Sequence, residues 1–328
     1  MNITEDKYRF FPQSWYPVLL SSELSPGQIK EVKAFDAFFI VFRGEDKKAR
    51  ALFSHCPHMG TKFLAGKIKG NHLQCPLHLR EFNESGNCMH IPGATDIPKN
   101  AHTSSFPVHE EAGIIFVFLG TSPFKFPEFS RVKEKIVFST PASYVLDTPY
   151  QALIFNGFDT HHLGCIHHRE ILTEPIFNHF ENVLTAEYSM GVLVSTFYDW
   201  IVKTISSDLN EVYLECFGGN FLIITNKKTK DNILITSVPV TYSKSRIFLT
   251  ALTENSANNP LGLLAIFARL KITTVLGVSF LKPDIKIIEN MRPDFRNFLG
   301  TQDKGAAVFW DYWDKLPRDI DFQKRLRN

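Results

Sequence analysis

Four side chains in the first third of the chain have the types and spacing of metal ligands. Cys56 and His58 lie in the run Cys-Pro-His-Met-Gly, and Cys75 and His78 lie in the run Cys-Pro-Leu-His. Thiolate sulfur and imidazole nitrogen both bind iron and zinc. A proline follows each cysteine, which stiffens the turn and removes one backbone donor. The two runs therefore predict paired short loops that hold one metal site.

Two kinds of site use two cysteines and two histidines. A structural zinc site usually takes both cysteines from one loop and both histidines from the other. Here each loop supplies one of each, which resembles the Rieske [2Fe–2S] cluster, where two thiolates hold one iron and two imidazoles hold the other. Imidazole is neutral, so the iron that it binds is easier to reduce. We expect these four residues to hold a cluster that transfers single electrons.

A second concentration of ligand-type residues follows in the middle of the chain. Its pattern is Asn-x-x-Asp-x-x-His-x-x-x-x-His, formed by Asn156, Asp159, His162 and His167. Histidines five positions apart lie within about one and a half helical turns. They could reach one metal if the helix bends or ends between them, and Gly164 permits that. His161 and His168 are the competing neighbours.

Composition limits the classes of partner. The chain has 328 residues, 44% hydrophobic and 21% charged, and a net charge of +2, so no general field attracts nucleic acid or a membrane surface. The start, Met1–Arg9, lacks the apolar stretch of a secretory signal. The most apolar window, Leu261–Leu281, is interrupted by Arg269 and Lys271. We therefore expect no nucleic-acid partner and no integral membrane segment.

The cysteines indicate the compartment. The chain has 5, an odd number that argues against a disulfide framework and favours a reducing cytoplasm. Besides the two predicted ligands, Cys88, Cys165 and Cys216 are expected to be small buried hydrophobic residues.

Hydrophobic patterning predicts an α+β protein of two domains. Residues 1–125 contain short strands separated by turns, which predict an all-β domain, and Thr121–Pro127 is a predicted linker. Residues 126–328 predict an antiparallel sheet with helices at Leu261–Lys282, Ile285–Met291 and Ala306–Lys315. The predicted strands of this second part are Lys135–Ser139, Val192–Phe197, Val212–Phe217, Phe221–Thr225, Ile233–Val240 and Arg246–Leu252.

With the cluster motif upstream of the histidine motif, nearly the whole chain resembles the oxygenase component of Rieske-type non-haem iron, aromatic-ring-hydroxylating oxygenases, in a short single-subunit form. The resemblance implies a helix-grip (START-like) catalytic domain. It also implies a mononuclear Fe(II) held by two histidines and one carboxylate, with open positions for O₂. By motif position His162 and His167 are the histidine ligands. Asp159 matches the family's bridging aspartate between a cluster histidine of one subunit and an iron ligand of the next. Asn156 matches a residue close to the iron.

The third iron ligand is expected far downstream. Asp284 begins a stretch that resembles the family's Asp-x-x-x-Trp-x-Asn, with Ile288 in the place of tryptophan. Glu289 and Asp294 are the alternatives. Without a metal, Asp284 would be an ordinary acidic residue near a helix N-terminus.

The resemblance implies a terminal oxygenase. Such an enzyme takes electrons from an NAD(P)H-dependent reductase or a ferredoxin, binds O₂, and forms a homotrimer because cluster and iron of adjacent subunits lie close together. The apolar second domain suggests an aromatic, alkyl, terpenoid or steroid-like substrate that is hydroxylated or oxidatively demethylated. Alternatives are a cis-dihydroxylating dioxygenase, a Rieske electron-transfer protein without oxygenase activity, and a non-catalytic binding protein.

The chain departs from the family beside the second cluster loop. Members usually have His-Gly-Trp there, and this chain has His78-Leu79-Arg80-Glu81. The ligand is retained, so we expect the change to affect packing, reduction potential and the choice of electron donor.

Overall fold

The chain divides into two compact units. The first consists of Met1–Phe126 with Arg318–Asn328, and the second of Pro127–Pro317. The computed structural model describes residues 10–127, 136–193, 209–228, 230–257, 259–289, 291 and 300–327. The domain boundary that the sequence predicts between residues 125 and 126 stays a prediction. No sequence pattern indicated that Arg318–Asn328 would join the first unit.

The first unit contains three small antiparallel sheets, as the frequent turn signals predicted. Their orders are β1-β11-β10, β2-β3-β4-β9 and β5-β6-β7-β8. The strands are β1 (Trp15–Leu20), β2 (Ile29–Ala34), β3 (Ala37–Arg43), β4 (Ala49–Phe53), β5 (Lys67–Lys69), β6 (His72–Gln74), β7 (Glu81–Phe82), β8 (Cys88–His90), β9 (Ser105–Phe106), β10 (Val108–Glu111) and β11 (Ile114–Phe118).

Apolar packing holds the cluster loops of the first unit. Cys56 and Cys75 belong to a buried group with Ile40, Phe42, Leu52, Phe63, Leu73, Phe82 and Cys88. The rings of Phe63 and Phe82 meet edge to face at 5.2 Å, an arrangement that aromatic pairs favour. The two cysteines are therefore anchored in the core.

The C-terminal helix of the chain completes the first unit. It spans Ile320–Arg327, and its buried Gln323 accepts a hydrogen bond from the Phe11 N–H at 2.9 Å and donates one to the Phe11 carbonyl at 2.8 Å. A buried amide satisfied in this way is costly to remove. The contact joins positions 312 residues apart, so local sequence patterns could not indicate it.

The second unit is built on one nine-stranded antiparallel sheet. Its main order is β12-β20-β19-β18-β17-β16-β14, with β13 paired to β20 and β15 paired to β16. The strands are β12 (Ile136–Phe138), β13 (Ala142–Leu146), β14 (Arg169–Ile171), β15 (Ile176–Phe180), β16 (Val183–Val192), β17 (Leu209–Phe217), β18 (Phe221–Asn226), β19 (Asn232–Thr241) and β20 (Lys244–Glu254). The predicted fold class is thus confirmed. The predicted strand residues Lys135 and 194–197 lie outside the described residues.

Four helices accompany this sheet in the described part of the second unit. They are α1 (Gln151–Asn156), α2 (Thr160–His167), α3 (Pro260–Ile288) and α4 (Lys304–Lys315), and the C-terminal helix of the first unit is α5. The prediction of two helices separated near Pro283 was wrong, because α3 continues through this proline. A proline inside a helix costs one hydrogen bond. Here one face of the helix is buried on both sides of the proline, through Leu281, Asp284 and Ile288. This packing keeps the helix continuous.

Helix α3 is unusually apolar. Among the described helices, it alone is long and apolar enough to cross a membrane, and 17% of its most apolar window is buried. The expected absence of an integral membrane segment therefore stays a prediction.

The closing helix α4 confirms the prediction for Ala306–Lys315. The Trp313 indole N–H donates to the Tyr150 hydroxyl at 2.9 Å, and the Tyr312 hydroxyl donates to the Asn182 carbonyl at 2.6 Å. Gly305 is the second residue of the helix, and a Cβ atom there would lie 1.9 Å from the Phe158 carbonyl oxygen. The glycine lets α4 pack directly against the turn between α1 and α2, which carries the second ligand motif.

Candidate metal centres

The two cluster loops have the same backbone hydrogen-bond pattern. In the first, the Cys56 N–H donates to the Thr61 carbonyl at 2.8 Å and the Gly60 N–H donates to the Cys56 carbonyl at 2.9 Å. In the second, the Cys75 N–H donates to the Arg80 carbonyl at 2.8 Å and the Leu79 N–H donates to the Cys75 carbonyl at 3.1 Å. Each cysteine is therefore fixed by a tight turn in which Leu79 corresponds to Gly60.

This correspondence explains what is unusual about Leu79. Gly60 has a φ of +71°, and Leu79 has a φ of +53°. The left-handed region is open to glycine but costs roughly 1–2 kcal/mol for a residue with a Cβ atom. Leu79 thus keeps the turn that the family forms with glycine, at the cost of backbone strain beside the site.

The four predicted cluster ligands form two pairs, Cys56 with Cys75 and His58 with His78, in different environments. Cys56 and Cys75 are each 2% exposed, whereas His58 and His78 are exposed, with ring centroids 4.9 Å apart. Burial raises the pKa of the Cys56 thiol to about 11; the His58 N–H opposes this rise and the Cys75 thiol adds to it. Two buried sulfurs and two exposed imidazoles fit a [2Fe–2S] cluster whose histidine-bound iron faces solvent.

A positive charge lies near this site. The Arg80 guanidinium opposes the rise that burial causes in the Cys56 pKa, and after burial it is the next cause of the lowered pKa of His58. The next residue, Glu81, is buried, which would raise its pKa, but the ammonium of Lys69 at 2.7 Å outweighs burial and the pKa lies below its usual value. Arg80 therefore adds an electrostatic influence where the family has tryptophan.

The second motif forms the turn and the short helix α2. The Asp159 carboxylate caps the helix, accepting hydrogen bonds from the backbone N–H groups of His161 at 3.1 Å and His162 at 3.3 Å. The His162 Nδ1 atom is hydrogen-bonded to the Asp159 carbonyl oxygen. A carbonyl can only accept, so Nδ1 carries the proton and Nε2 is left for a metal. Asp159 thus fixes both the helix and the tautomer of His162.

Helix α3 brings the predicted carboxylate to the two histidines. Oδ1 of Asp284 lies 2.7 Å from Nε2 of His167 and 3.8 Å from Nε2 of His162. Ligand atoms of all three side chains lie within 4.8 Å of one another. The His167 ring stacks on Phe280 with centroids 3.8 Å apart. Two imidazoles and one carboxylate on one side of a metal, with open positions on the other, fit mononuclear Fe(II).

The structure separates these residues from their rivals. Glu289 is exposed beyond the end of α3, and Asp294 lies outside the described residues. His161 and His168 are also exposed, and His161 lies 3.8 Å from the thiol of Cys165. The prediction that Cys165 is buried was wrong, because it lies on the outer face of α2, whereas Cys88 and Cys216 are buried.

A cavity of about 670 Å³ opens beside His162 and Asp284. Asn156, His162 and Asp284 line it with apolar side chains from the sheet and from α3. Its size suits a small-molecule site. Sequence reasoning missed Phe280, Arg169, Asp231 and Arg269 on its walls, because no motif marks them. Arg269, which interrupts the apolar segment Leu261–Leu281, was the available signal.

Comparisons with known proteins agree with this arrangement. A family model of the Rieske [2Fe-2S] domain matches residues 14–106. Cholesterol 7-desaturase nvd 1 of Ciona intestinalis is 34% identical over 171 residues, which are 50% of this chain and 36% of that protein. The probable 3-ketosteroid-9-alpha-monooxygenase, oxygenase component, of Rhodococcus rhodochrous is 33% identical over 131 residues, 40% of this chain and 33% of that protein. The matches thus span about a third of each relative.

Solved structures match nearly the whole chain. Dicamba monooxygenase with non-heme iron and dicamba has a TM-score of 0.70 at 19% identity and covers 94% of this chain and 97% of its own. The Pseudomonas putida CBB5 protein NdmA has a TM-score of 0.69 at 20% identity and covers 95% and 90%. The comparisons confirm the predicted cofactors, a [2Fe–2S] cluster and mononuclear iron, while the residue assignments stay proposals. Residues 14–106 therefore match the Rieske [2Fe-2S] domain, the two relatives match half of the chain or less, and nearly the whole chain shares its fold with dicamba monooxygenase.

Proposed function

We propose that this protein is the terminal oxygenase of a Rieske system that acts on an elongated apolar small molecule. The observation that carries this proposal is the group His162, His167 and Asp284, two of which, His162 and Asp284, line an apolar cavity in a chain that also has a Rieske domain. When bound, the cluster supplies single electrons and the mononuclear iron supplies the O₂-activating chemistry. An electron carrier without oxygenase activity would need neither the three ligands nor the cavity.

The side chains around the ligands have distinct roles in this proposal. Asp159 holds His162 in the tautomer with a free Nε2, and Phe280 fixes the ring plane of His167. Arg169 is buried and donates to the His167 carbonyl at 2.7 Å, which holds the end of α2. The apolar walls exclude water and orient the substrate. Asn156 lies at the end of α1 on the same wall, close enough to the cavity to contact substrate.

The relatives suggest which apolar molecules to test first. Two of them are named for cholesterol and for 3-ketosteroids, and a steroid suits a long apolar cavity. The name of the first also favours a second outcome, desaturation, in which O₂ is consumed but no oxygen atom enters the product. Hydroxylation, oxidative demethylation and cis-dihydroxylation each incorporate oxygen.

Partners and location follow from the same proposal. The electron donor is an NAD(P)H-dependent reductase or a ferredoxin, and the assembly is a homotrimer, in which Asp159 connects the cluster of one subunit with the iron of the next. A reducing cytoplasm suits a protein whose cysteines are all free of disulfides in the described residues. Light scattering on the purified protein tests the trimer.

The decisive experiment measures substrate-dependent O₂ uptake by the protein loaded with both cofactors. Reductant, ¹⁸O₂ and a panel of steroids, sterols and N-alkylated aromatics are supplied, and products are analysed by mass. We expect uptake with ¹⁸O in an alcohol or aldehyde product, or a new double bond without ¹⁸O. The double variant His162→Ala/His167→Ala is the control. Iron that never exceeds the cluster's share, together with no uptake for any member of the panel, would contradict the proposal.

A further inference from the structure

One pair of opposite charges lies in the wall of the otherwise largely apolar cavity. Nη2 of Arg269, on α3, is 3.2 Å from Oδ1 of Asp231, which directly precedes β19. Both residues line the cavity. The Asp231 side chain is 9% exposed, whereas that of Arg269 is 44% exposed. A carboxylate is thus buried at the cavity wall with its cation on the more open side.

The pair is far from the metal ligands. Between Arg269 and Asp284, helix α3 contributes Ile272, Leu276 and Phe280 to the cavity wall. Arg269 and Asp284 are fifteen positions apart, so their backbones are separated by about 22 Å along a helix that rises 1.5 Å per residue. The cavity therefore has a reacting end at the histidines and a polar end at the pair, joined by an apolar wall.

Other polar groups surround the pair. Asn226 ends β18 and also lines the cavity. Burial raises the pKa of Asp231, while the guanidinium of Arg269 and the hydroxyl of Thr253 lower it. Donors and acceptors are thus collected at one place in a wall where most other residues are apolar. A salt bridge that only stabilised the fold would not need to face the cavity.

The charge of the pair selects among possible ligand groups. The pair is neutral as a whole, so it offers an acceptor and a donor side by side. A hydroxyl can donate to the Asp231 carboxylate and accept from Arg269, and a carbonyl can accept from Arg269. A ligand carboxylate would meet the carboxylate of Asp231, and like charges at this range repel.

We propose that Asp231 and Arg269 bind one neutral oxygen group, a hydroxyl or a carbonyl, at the end of an elongated apolar substrate that lies farthest from the reacting carbon. This proposal rests on the proposed function and defines the substrate class further. It requires a long apolar body with a terminal alcohol or ketone, which a 3-hydroxysterol and a long-chain alcohol both provide. The pair sets specificity and position and takes no part in bond making.

Equilibrium binding of radiolabelled ligands to the full chain tests this inference without turnover. The ligands are cholesterol, its analogue cholestane without the hydroxyl, cetyl alcohol and palmitic acid. The variant Asp231→Asn/Arg269→Gln removes both charges together, so neither is left buried alone. The control Lys271→Gln removes a charge from an exposed position of the same helix outside the cavity lining.

We expect the wild-type protein to bind cholesterol or cetyl alcohol at least tenfold more tightly than cholestane or palmitic acid. The double variant should lose about 10-fold to 100-fold in affinity for the alcohol, the range for hydrogen bonds to charged groups, and keep its affinity for cholestane. Lys271→Gln should behave as wild type. The preferred alcohol shows whether the body is a sterol or a chain.

Two results would overturn the inference. One is equal binding of alcohol and hydroxyl-free analogue by the wild type, and the other is an equal loss for both in the double variant, which would show a merely structural pair. Oxygen uptake separates these failures from failure of the proposed function. If the protein turns over substrate but the pair does not distinguish alcohol from cholestane, only the inference is contradicted. If the pair distinguishes them but no oxygen is taken up, only the oxygenase assignment is contradicted.

Discussion

Nε2 of His167 lies 2.7 Å from Oδ1 of Asp284, although 117 positions separate the two residues in the chain. One helix provides both the carboxylate and the support for its partner, because Phe280, one turn before Asp284 on α3, stacks on the His167 ring. Asp284 is 2% exposed. A carboxylate at such depth needs a compensating charge or hydrogen bond. His167 provides a hydrogen bond, and a metal ion held together with the two histidines would provide the charge.

Substituting this carboxylate should remove the mononuclear iron alone. Asp284→Asn keeps the volume but loses the anionic ligand, so we expect iron per chain to fall to the cluster's share, with visible absorption and circular dichroism of the cluster unchanged. Glu289→Gln is the matched control and should keep all its iron. Unchanged iron in Asp284→Asn together with loss in Glu289→Gln would transfer the ligand role to Glu289.

Much of this arrangement could be predicted because its information is local. The cluster loops follow from two short runs with a cysteine and a histidine each, and the cap of α2 follows from Asp159 directly before the helix. Asp284 was reached only through resemblance, since nothing in its neighbourhood indicates that α3 packs beside α2. The pairing of Gln323 with Phe11 is equally non-local.

Other features could not be predicted because packing overrides propensity. Pro283 predicts a helix boundary, but the buried residues Leu281, Asp284 and Ile288 keep α3 continuous. Cys165 is predicted from its type to be a small buried hydrophobic residue, but it lies on the exposed side of α2. The polar end of the cavity joins Asp231 and Arg269, which are ordinary surface types until the fold brings them together.

Asp159 can be tested for a function beyond capping. Asn caps a helix as well as Asp does, so Asp159→Asn should unfold like the wild type, whereas Asp159→Ala should lose about 1 kcal/mol of stability. If the carboxylate connects subunits, both variants keep the cluster spectrum and lose nearly all turnover. Normal coupled turnover in Asp159→Asn would leave Asp159 with only its structural role.

Replacing Leu79 by glycine should stabilise the second cluster loop. The change relieves roughly 1–2 kcal/mol of left-handed backbone strain in the folded state. Glycine also makes the unfolded chain more flexible, which lowers the free energy of unfolding by about half of that amount. The side chain is 49% exposed, so little burial is lost. We expect slower loss of the cluster's visible absorption on heating.

The control for this prediction lies in the same loop. Leu77 is 51% exposed and is not among the described residues with positive φ. Leu77→Gly should therefore destabilise by about 0.5–1 kcal/mol, because glycine gains nothing there. Destabilisation of equal size in both variants would show that the turn at Leu79 is not strained.

Acid stability of the first unit should depend on Glu110. Its carboxylate forms two hydrogen bonds with the Arg43 guanidinium, at 2.8 and 2.9 Å. Burial would raise the pKa of Glu110, but Arg43 and then Ser21 outweigh it, so the folded pKa lies below the ordinary value of 4.5. The stabilisation is therefore present in full above pH 4.5 and is lost as the pH falls from there through the folded pKa.

Glu110→Gln should accordingly cost about 1 kcal/mol at neutral pH, since the side chain is 31% exposed and partly screened. Heat-induced loss of cluster absorption, followed from pH 7 downwards, should show the wild type and Glu110→Gln converging below pH 4.5. Glu45→Gln removes an exposed carboxylate of the same unit and should follow the wild type throughout. A difference between wild type and Glu110→Gln that did not shrink in acid would mean that the ion pair with Arg43 is not its source.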